Sequence, residues 1–480
     1  MNNRTDSKTA VLKSLSKTPT GIQGLDEITG GGLPKGRPTL VCGGAGCGKT
    51  VLAIEFLVRG IERFDENGAF ITFEETADEL TENTASLGFD LKALTHDKRL
   101  SLKQLYYEPV NDVETGDYDL SGLFAQIGSA IDSVKAQRVV IDGIETLFSY
   151  FSREQIVRAE LKRLFRWLKE KGVTAIVTCE AGPGQQITRR GIEEYISDCV
   201  IFLSQRVQDQ ISIRRLHIIK YRGSVHGANE YPFLLTEKGF SVLPVTSIGL
   251  EYEALTERML TGIEGLDRMF EGKGYFKGSG ILISGTAGTG KSTFAACFAA
   301  ANCRRGARTL YFSFEESAPQ IVRNMQSIGM DLAPFVEKGL LKFDAVRPTL
   351  HGLEMHLLNM NRLIQDFAPD AVILDPISNL TTVGSLPDVK LMFLRILDTL
   401  KKANITCLCT DLTNGGRAIE ATDVGVSSIM DTWILLQNHP RDRRRERSVY
   451  ILKSRGMSHS NEMHSFEMKN DGIHIQPSSE

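Results

Sequence analysis

Two eight-residue stretches of this chain are built to hold phosphate. Gly43-Gly44-Ala45-Gly46-Cys47-Gly48-Lys49-Thr50 and Gly285-Thr286-Ala287-Gly288-Thr289-Gly290-Lys291-Ser292 both satisfy G-x-x-x-x-G-K-[ST]. In such a loop the glycines turn backbone N–H groups toward phosphate oxygens. The lysine neutralises the outer phosphates, and the Thr or Ser hydroxyl ligates magnesium. The flanks agree with this reading. Thr39–Cys42 and Ile281–Ser284 are short apolar runs that predict buried strands, and helix-forming runs begin at Val51 and Thr293. Each phosphate would then sit on a helix N-terminus. Two nucleoside triphosphate sites, with ATP and Mg²⁺ as cofactors, are expected.

Hydrolysis needs acids as well as a cradle. Asp142 and Asp375 end hydrophobic runs, where a carboxylate can hold the metal beside the hydroxyls of Thr50 and Ser292. Glu74-Glu75 and Glu315-Glu316 also end predicted strands. Strand carboxyl ends form the ligand crevice of open α/β sheets, so one Glu of each pair can orient and deprotonate a nucleophile. Alternation does not say which one. Lys220 with Arg222 and Lys453 with Arg455 lie on late strands, away from their own phosphate loops. They read either as cations completing a neighbour's site or as charges blunting a sheet edge.

These residues must be positioned by a fold, and the chain repeats one. Thr20-Gly21-Ile22-Gln23-Gly24-Leu25-Asp26 returns as Thr261-Gly262-Ile263-Glu264-Gly265-Leu266-Asp267, and Phe73-Glu74-Glu75 as Phe314-Glu315-Glu316, at an offset of 241. Val140-Ile141-Asp142 and Lys220-Tyr221-Arg222-Gly223 return at an offset of 233, so the second copy is shorter in between. A period this long marks a duplicated domain. Strand-like runs alternate with helical ones, around Glu160–Lys171 and Leu391–Lys402 among others, which predicts an α/β P-loop domain in each half. The closing runs, Val200–Ser204 with Ser212–Lys220 and Thr432–Gln437 with Ser448–Lys453, are separated only by polar turns and predict antiparallel pairing at a sheet edge. The expected divisions are a disordered tail 1–17, domains 18–247 and 248–475, and a short tail 476–480.

Bulk properties exclude several classes. A net charge of −3 among 480 residues gives no global pull toward nucleic acid. No apolar run approaches membrane-spanning length, and the polar start is no signal peptide, so a cytoplasmic protein is expected. Eight cysteines without a C-x-x-C pair read as reduced structural residues.

The copies differ at a place where a hydroxyl would change the chemistry. Against Ile196-Ser197-Asp198 and Ile429-Met430-Asp431, the first copy has Glu194-Tyr195 where the second has Ser427-Ser428. A hydroxyl brought to a γ-phosphate replaces water and turns an ATPase into a kinase. On residue types alone, Ser-Ser in a Gly-containing segment reads as a plain loop.

Phe-Glu-Glu after each phosphate loop, Lys-x-Arg-Gly late in each copy, and Thr422-Asp423-Val424-Gly425-Val426-Ser427-Ser428 before Asp431-Thr432 resemble the KaiC family of circadian clock proteins, from about Thr18 to Ile475. The resemblance implies two tandem RecA-like P-loop domains assembled as a hexameric double ring, with nucleotide between neighbouring subunits. It implies a slow ATPase in the first domain, coupled to a KaiB-type partner. It also implies an autokinase and autophosphatase in the second, acting in trans on adjacent hydroxyls, as a circadian-type or stress-signalling timer. Carried onto this sequence, Lys49, Thr50, Lys291 and Ser292 are the Walker A residues, and Asp142 and Asp375 the metal acids. Glu74, Glu75, Glu315 and Glu316 are the catalytic glutamates, and Lys220, Arg222, Lys453 and Arg455 the trans-acting cations. Ser86 and His226 join the first copy's nucleotide contacts, and Ser427 and Ser428 become the phosphoacceptors.

Three departures accompany the resemblance. The acceptor pair is Ser-Ser where familiar members have Ser-Thr, and Ile328 stands where they place an adenine-stacking Trp. The chain also stops at Glu480, so the tail that receives KaiA is not expected, nor is KaiA dependence. Rival readings are a DNA-handling ATPase of the RecA type, resting on the basic run Arg441–Arg447, and a nucleotide-gated scaffold with negligible turnover. That run lies between two predicted strands and also reads as a solvated hairpin turn.

Overall fold

In a computed structural model, residues 15–105, 120–148, 154–182, 187–188, 196–208, 211–237, 239–244, 255–413, 424–441 and 444–476 are described. The chain divides into two compact units, Met1–Thr246 and Ser247–Glu480. Most of the expected N-terminal tail, residues 1–14, and residues 477–480 of the expected C-terminal tail lie outside the described residues.

Each unit is built on a nine-stranded sheet of the same plan. In the first unit the phosphate-loop strand Pro38–Gly43 lies between Thr174–Glu180 and Cys199–Gln208, all parallel. Beyond Thr174–Glu180 come Arg138–Asp142, Gly68–Thr72 and Leu100–Gln104, also parallel. In the second unit Gly280–Gly285 lies between Thr406–Leu412 and Thr432–Arg441, continuing through Ala371–Asp375, Thr309–Ser313 and Leu341–Ala345. The continuous apolar runs follow from this arrangement, because a central parallel strand is covered on both faces. Val41 and Phe70 pack with Leu52 and Phe56 of the phosphate-loop helix on one face. Leu40, Cys42 and Ile71 pack with Ile127, Leu161 and Phe165 on the other.

The late strands pair antiparallel, but they are not the sheet edge. Ile211–Tyr221 pairs with Cys199–Gln208, and two further strands, Glu230–Thr236 and Gly239–Val242, extend the sheet beyond it. Arg444–Ser454 is likewise followed by His464–Lys469 and Gly472–Ile475. The basic run forms the end of this hairpin, with Arg441 opposite Arg444 and positions 442–443 outside the described residues. The two long helices begin earlier than expected, at Glu154 and Leu386. For the second, the reason is a Ser385 cap on the N–H of Asp388 and a Pro in its first turn.

The repeated Thr-Gly-Ile-x-Gly-Leu-Asp segment is an anchor. Asp26 accepts from the N–H and hydroxyl of Thr20, both at 2.7 Å, and from the N–H of Gly21 at 3.0 Å. Asp267 accepts from the N–H of Thr261 at 2.8 Å. All eight cysteines are buried.

Candidate active sites

The phosphate loops open helices Lys49–Phe64 and Lys291–Arg304, whose first residues are the two Walker lysines. Lys49 Nζ donates to the carbonyls of Gly43 and Gly44 at 2.9 and 3.0 Å, and Lys291 Nζ to those of Gly285 and Thr286 at 2.9 Å each. The ammonium is thereby poised inside the loop where outer phosphates would lie. Burial lowers the pKa of Lys291, and Asp375, Asp411 and Glu315 pull it back up.

The metal-acid positions converge with the loop hydroxyls. The Thr50 hydroxyl donates to Asp142 Oδ2 at 3.0 Å, and the Thr178 hydroxyl to Asp142 Oδ1 at 2.6 Å. Burial raises the Asp142 pKa, opposed by these two donors and reinforced by Glu74 and Glu75. In the second unit Asp375 accepts from the hydroxyls of Tyr311, at 2.5 Å, and Thr410. A hydroxyl and a carboxylate beside a lysine form a hard, all-oxygen donor set, which suits a small divalent cation such as Mg²⁺ held with phosphates and waters. Thr178, Thr410 and Tyr311 escaped the sequence reading. The one available signal was recurrence of Thr at the same place in both strands that follow Asp142 and Asp375.

Both glutamate pairs lie at this crevice. The N–H groups of Glu74 and Glu75 donate to the Thr72 hydroxyl, and Thr146 donates to Glu74 Oε1 at 3.1 Å. Glu74 lies over Gly143, where φ is +76° and an added Cβ would sit 3.0 Å from the Glu74 carboxyl carbon. In the second unit Asn324 Nδ2 donates to Glu316 Oε1 at 3.3 Å. Here Glu315 and Glu316 line one cleft with Lys291, Ser292, Asp375 and Leu412. A further acid joins the first site: Glu145, its Oε2 buried without a hydrogen-bond partner, is pushed up to about 7, first by burial and then by Glu74 and Glu180.

The cation pairs and the serines collect elsewhere. Lys453 Nζ donates to the Ser427 carbonyl and Arg455 Nη2 to the Ser428 carbonyl, each at 2.8 Å. Arg455 and Lys401 both face Asp431, at 3.9 and 2.8 Å. Asp431 in turn accepts from the N–H of Gly280 at 2.9 Å. The Ser427–Ser428 turn therefore sits at the first residue of the strand Gly280–Gly285, whose last residue opens the phosphate loop. Five residue steps at ~3.3 Å separate the two ends, about 16 Å. The first unit repeats the anchor, with Arg222 and Lys169 facing Asp198 at 3.6 and 2.5 Å. Lys220 lies one strand over, opposite Val200. Glu194 and Tyr195 lie outside the described residues, as do Thr422 and Asp423.

Three further candidates stand apart from the loops. Ser86 ends the helix Ala77–Ala85 and donates to the Asn83 carbonyl at 3.2 Å. His226 stacks near Tyr221 with ring centroids 6.3 Å apart, and its Nδ1 is buried without a hydrogen-bond partner. Ile328 packs on the second unit's core, which accounts for an aliphatic residue there.

Comparison with known proteins places both units together. The family model for the KaiC ATPase matches residues 18–247 and 259–480. The chain is 52% identical over 464 residues to the circadian clock protein KaiC2 of Synechocystis sp. strain PCC 6803, covering 96% of this chain and 82% of that protein. It is 36% identical over 467 residues to KaiC3 of the same organism, covering 96% and 92%. It is also 36% identical over 473 residues to the circadian clock oscillator protein KaiC of Synechococcus elongatus strain PCC 7942, covering 97% and 90%.

Proposed function

The chain belongs to the KaiC family, and on that premise we propose that its first unit is an ATPase and its second a serine autokinase that labels a neighbouring copy. The reading is carried by one observation. The Ser427–Ser428 turn is tied by Lys453 and Arg455 to the end of the sheet opposite its own phosphate loop. A reacting hydroxyl must come within about 3–3.5 Å of the phosphorus. A serine some 16 Å from its own loop reaches a γ-phosphate only on another copy. This favours assembly of copies in which nucleotide lies between subunits, and the hexameric double ring of the family is the arrangement we propose.

The chemistry is divided between the copies. In the first unit Glu74 or Glu75 takes a proton from water as its oxygen attacks the γ-phosphorus and the bond to the bridging oxygen breaks. Lys49 and the loop N–H groups hold the phosphates throughout. In the second unit Glu315 or Glu316 takes the proton of Ser427 or Ser428, the serine oxygen bonds to phosphorus, and ADP leaves. The return of that phosphate to ADP is the same step reversed. Bound magnesium would screen the phosphate charge; Thr50, Asp142, Ser292 and Asp375 are the residues that would hold it. A KaiB-type protein is the partner we propose, and the slow cycle of the two activities would serve as a timer.

The ATPase half is tested in Lys291→Ala protein, where turnover is confined to the first unit. Adding Glu74→Gln with Glu75→Gln should lower sustained phosphate release by about 10²–10⁴-fold. Release that survives both substitutions would assign the base elsewhere.

A further inference from the structure

The two candidate metal acids, Asp142 and Asp375, take different hydrogen-bond donors, and Tyr311 is one of them. Tyr311 lies on the strand Thr309–Ser313, two residues before Ser313, the register partner of Asp375. Successive side chains on a strand alternate faces, so Tyr311 and Ser313 share one. The ring is fully buried, packed 5.2 Å from Phe343, and its hydroxyl donates to Asp375 Oδ2 at 2.5 Å. Thr410 donates to the other oxygen. The same position in the first unit is Phe70, buried and without a hydroxyl. There Asp142 Oδ2 takes the Thr50 hydroxyl instead, at 3.0 Å. No hydrogen bond joins Ser292 to Asp375 among the described residues.

We propose that Tyr311 is a positioning residue that orients Asp375 for the divalent cation of the second site. This rests on the reading of Asp375 as the metal acid. The loop hydroxyl that ligates a metal must point at it. In the first unit that turns Thr50 away from Asp142 and removes one of its two donors. In the second unit both donors on Asp375 belong to the sheet, so the carboxylate keeps its orientation while Ser292 is left to the metal. Each carboxylate oxygen has two lone pairs, so the Tyr311 bond leaves one on Oδ2 for a metal-bound water. Hydrogen-bonding partners of metal-holding groups typically change metal affinity 10–100-fold when removed.

The test uses the full chain carrying Lys49→Ala, so that the second site is read alone. Binding of a fluorescent ATP analogue is measured while Mg²⁺ is titrated, with and without Tyr311→Phe. Phe is the residue the other unit carries there, which preserves the packing. The half-saturating Mg²⁺ concentration should rise about tenfold, with analogue binding in EDTA unchanged. The reciprocal Phe70→Tyr, in Lys291→Ala protein, should lower the Mg²⁺ midpoint of the first site several-fold. Unchanged midpoints in both variants would overturn the proposal. Analogue binding indifferent to Mg²⁺ in the parent protein would instead remove Asp375 as a metal acid.

Discussion

Glu145 is a single side chain on which the first site's pH behaviour turns. It stands where the second unit has Ser378, and burial raises its carboxyl from 4.5 to about 7. Between those values the folded protein keeps a proton that the unfolded chain has released. Folding is therefore favoured by acid at this group. Its contribution is full below the unfolded value and is lost as pH rises through about 7. Glu145→Gln, which cannot ionise, should flatten that decline, gaining about 5–10 °C in melting temperature at pH 8 relative to pH 5. Parallel melting curves for parent and variant across that range would show that the carboxyl titrates normally. Asp142 shares the same direction of shift, for the same reason of burial, so the parent's decline should be softened rather than abolished.

At the scale of elements, the phosphate-loop helix of the first unit is constrained by what crosses it. Arg138 begins the strand Arg138–Asp142 and is wholly buried. It donates to Glu66 at 2.6 Å, to the Phe56 carbonyl at 2.9 Å and to the Pro19 carbonyl at 2.8 Å. Gly60 is the helix residue that makes room, since an added Cβ would lie 2.4 Å from Arg138 Cδ. Ala is the better helix former by about 1 kcal/mol. Gly60→Ala should nonetheless destabilise the protein by about 1–3 kcal/mol, read from denaturant midpoints, because overpacking outweighs propensity. A stabilised variant would mean that Arg138 can withdraw at little cost. This pair also shows where sequence reading stops. Lys49, Asp142 and the Glu74–Glu75 pair could be singled out from the sequence because each sits in a short local pattern, a Gly-rich loop or the end of an apolar run. The central strands were legible as continuous apolar runs, but their order in each sheet was not. Thr178, Thr410, Tyr311 and Arg138 act across strands or onto a helix distant in sequence, through register alone. Nothing local to them signals the partner. The late strands were misjudged as an edge because the strands beyond them carry weak signals: Glu230–Thr236 contains Pro232, His464–Lys469 is mostly polar, and Gly239–Val242 and Gly472–Ile475 have only four residues each.

At the scale of the whole molecule, duplication supplied two sheets of one plan that also differ in what is anchored at their far ends. Both units hold a late Arg beside an Asp at the start of the phosphate-loop strand. The second adds two serines to that anchor, at the far end from its own nucleotide. A strand length of about 16 Å between that anchor and the phosphate loop disfavours self-labelling within one copy, and transfer between copies is the central claim we propose. It is tested most directly by mixing two forms of the full chain with ATP and Mg²⁺. One carries Glu315→Gln with Glu316→Gln and intact serines; the other carries Ser427→Ala with Ser428→Ala and intact glutamates. Each alone should remain unlabelled. After mixing and exchange of subunits, mass spectrometry should find phosphate on Ser427 or Ser428 of the glutamine form. Absence of phosphate there, under conditions where the parent protein labels those serines, would contradict the account.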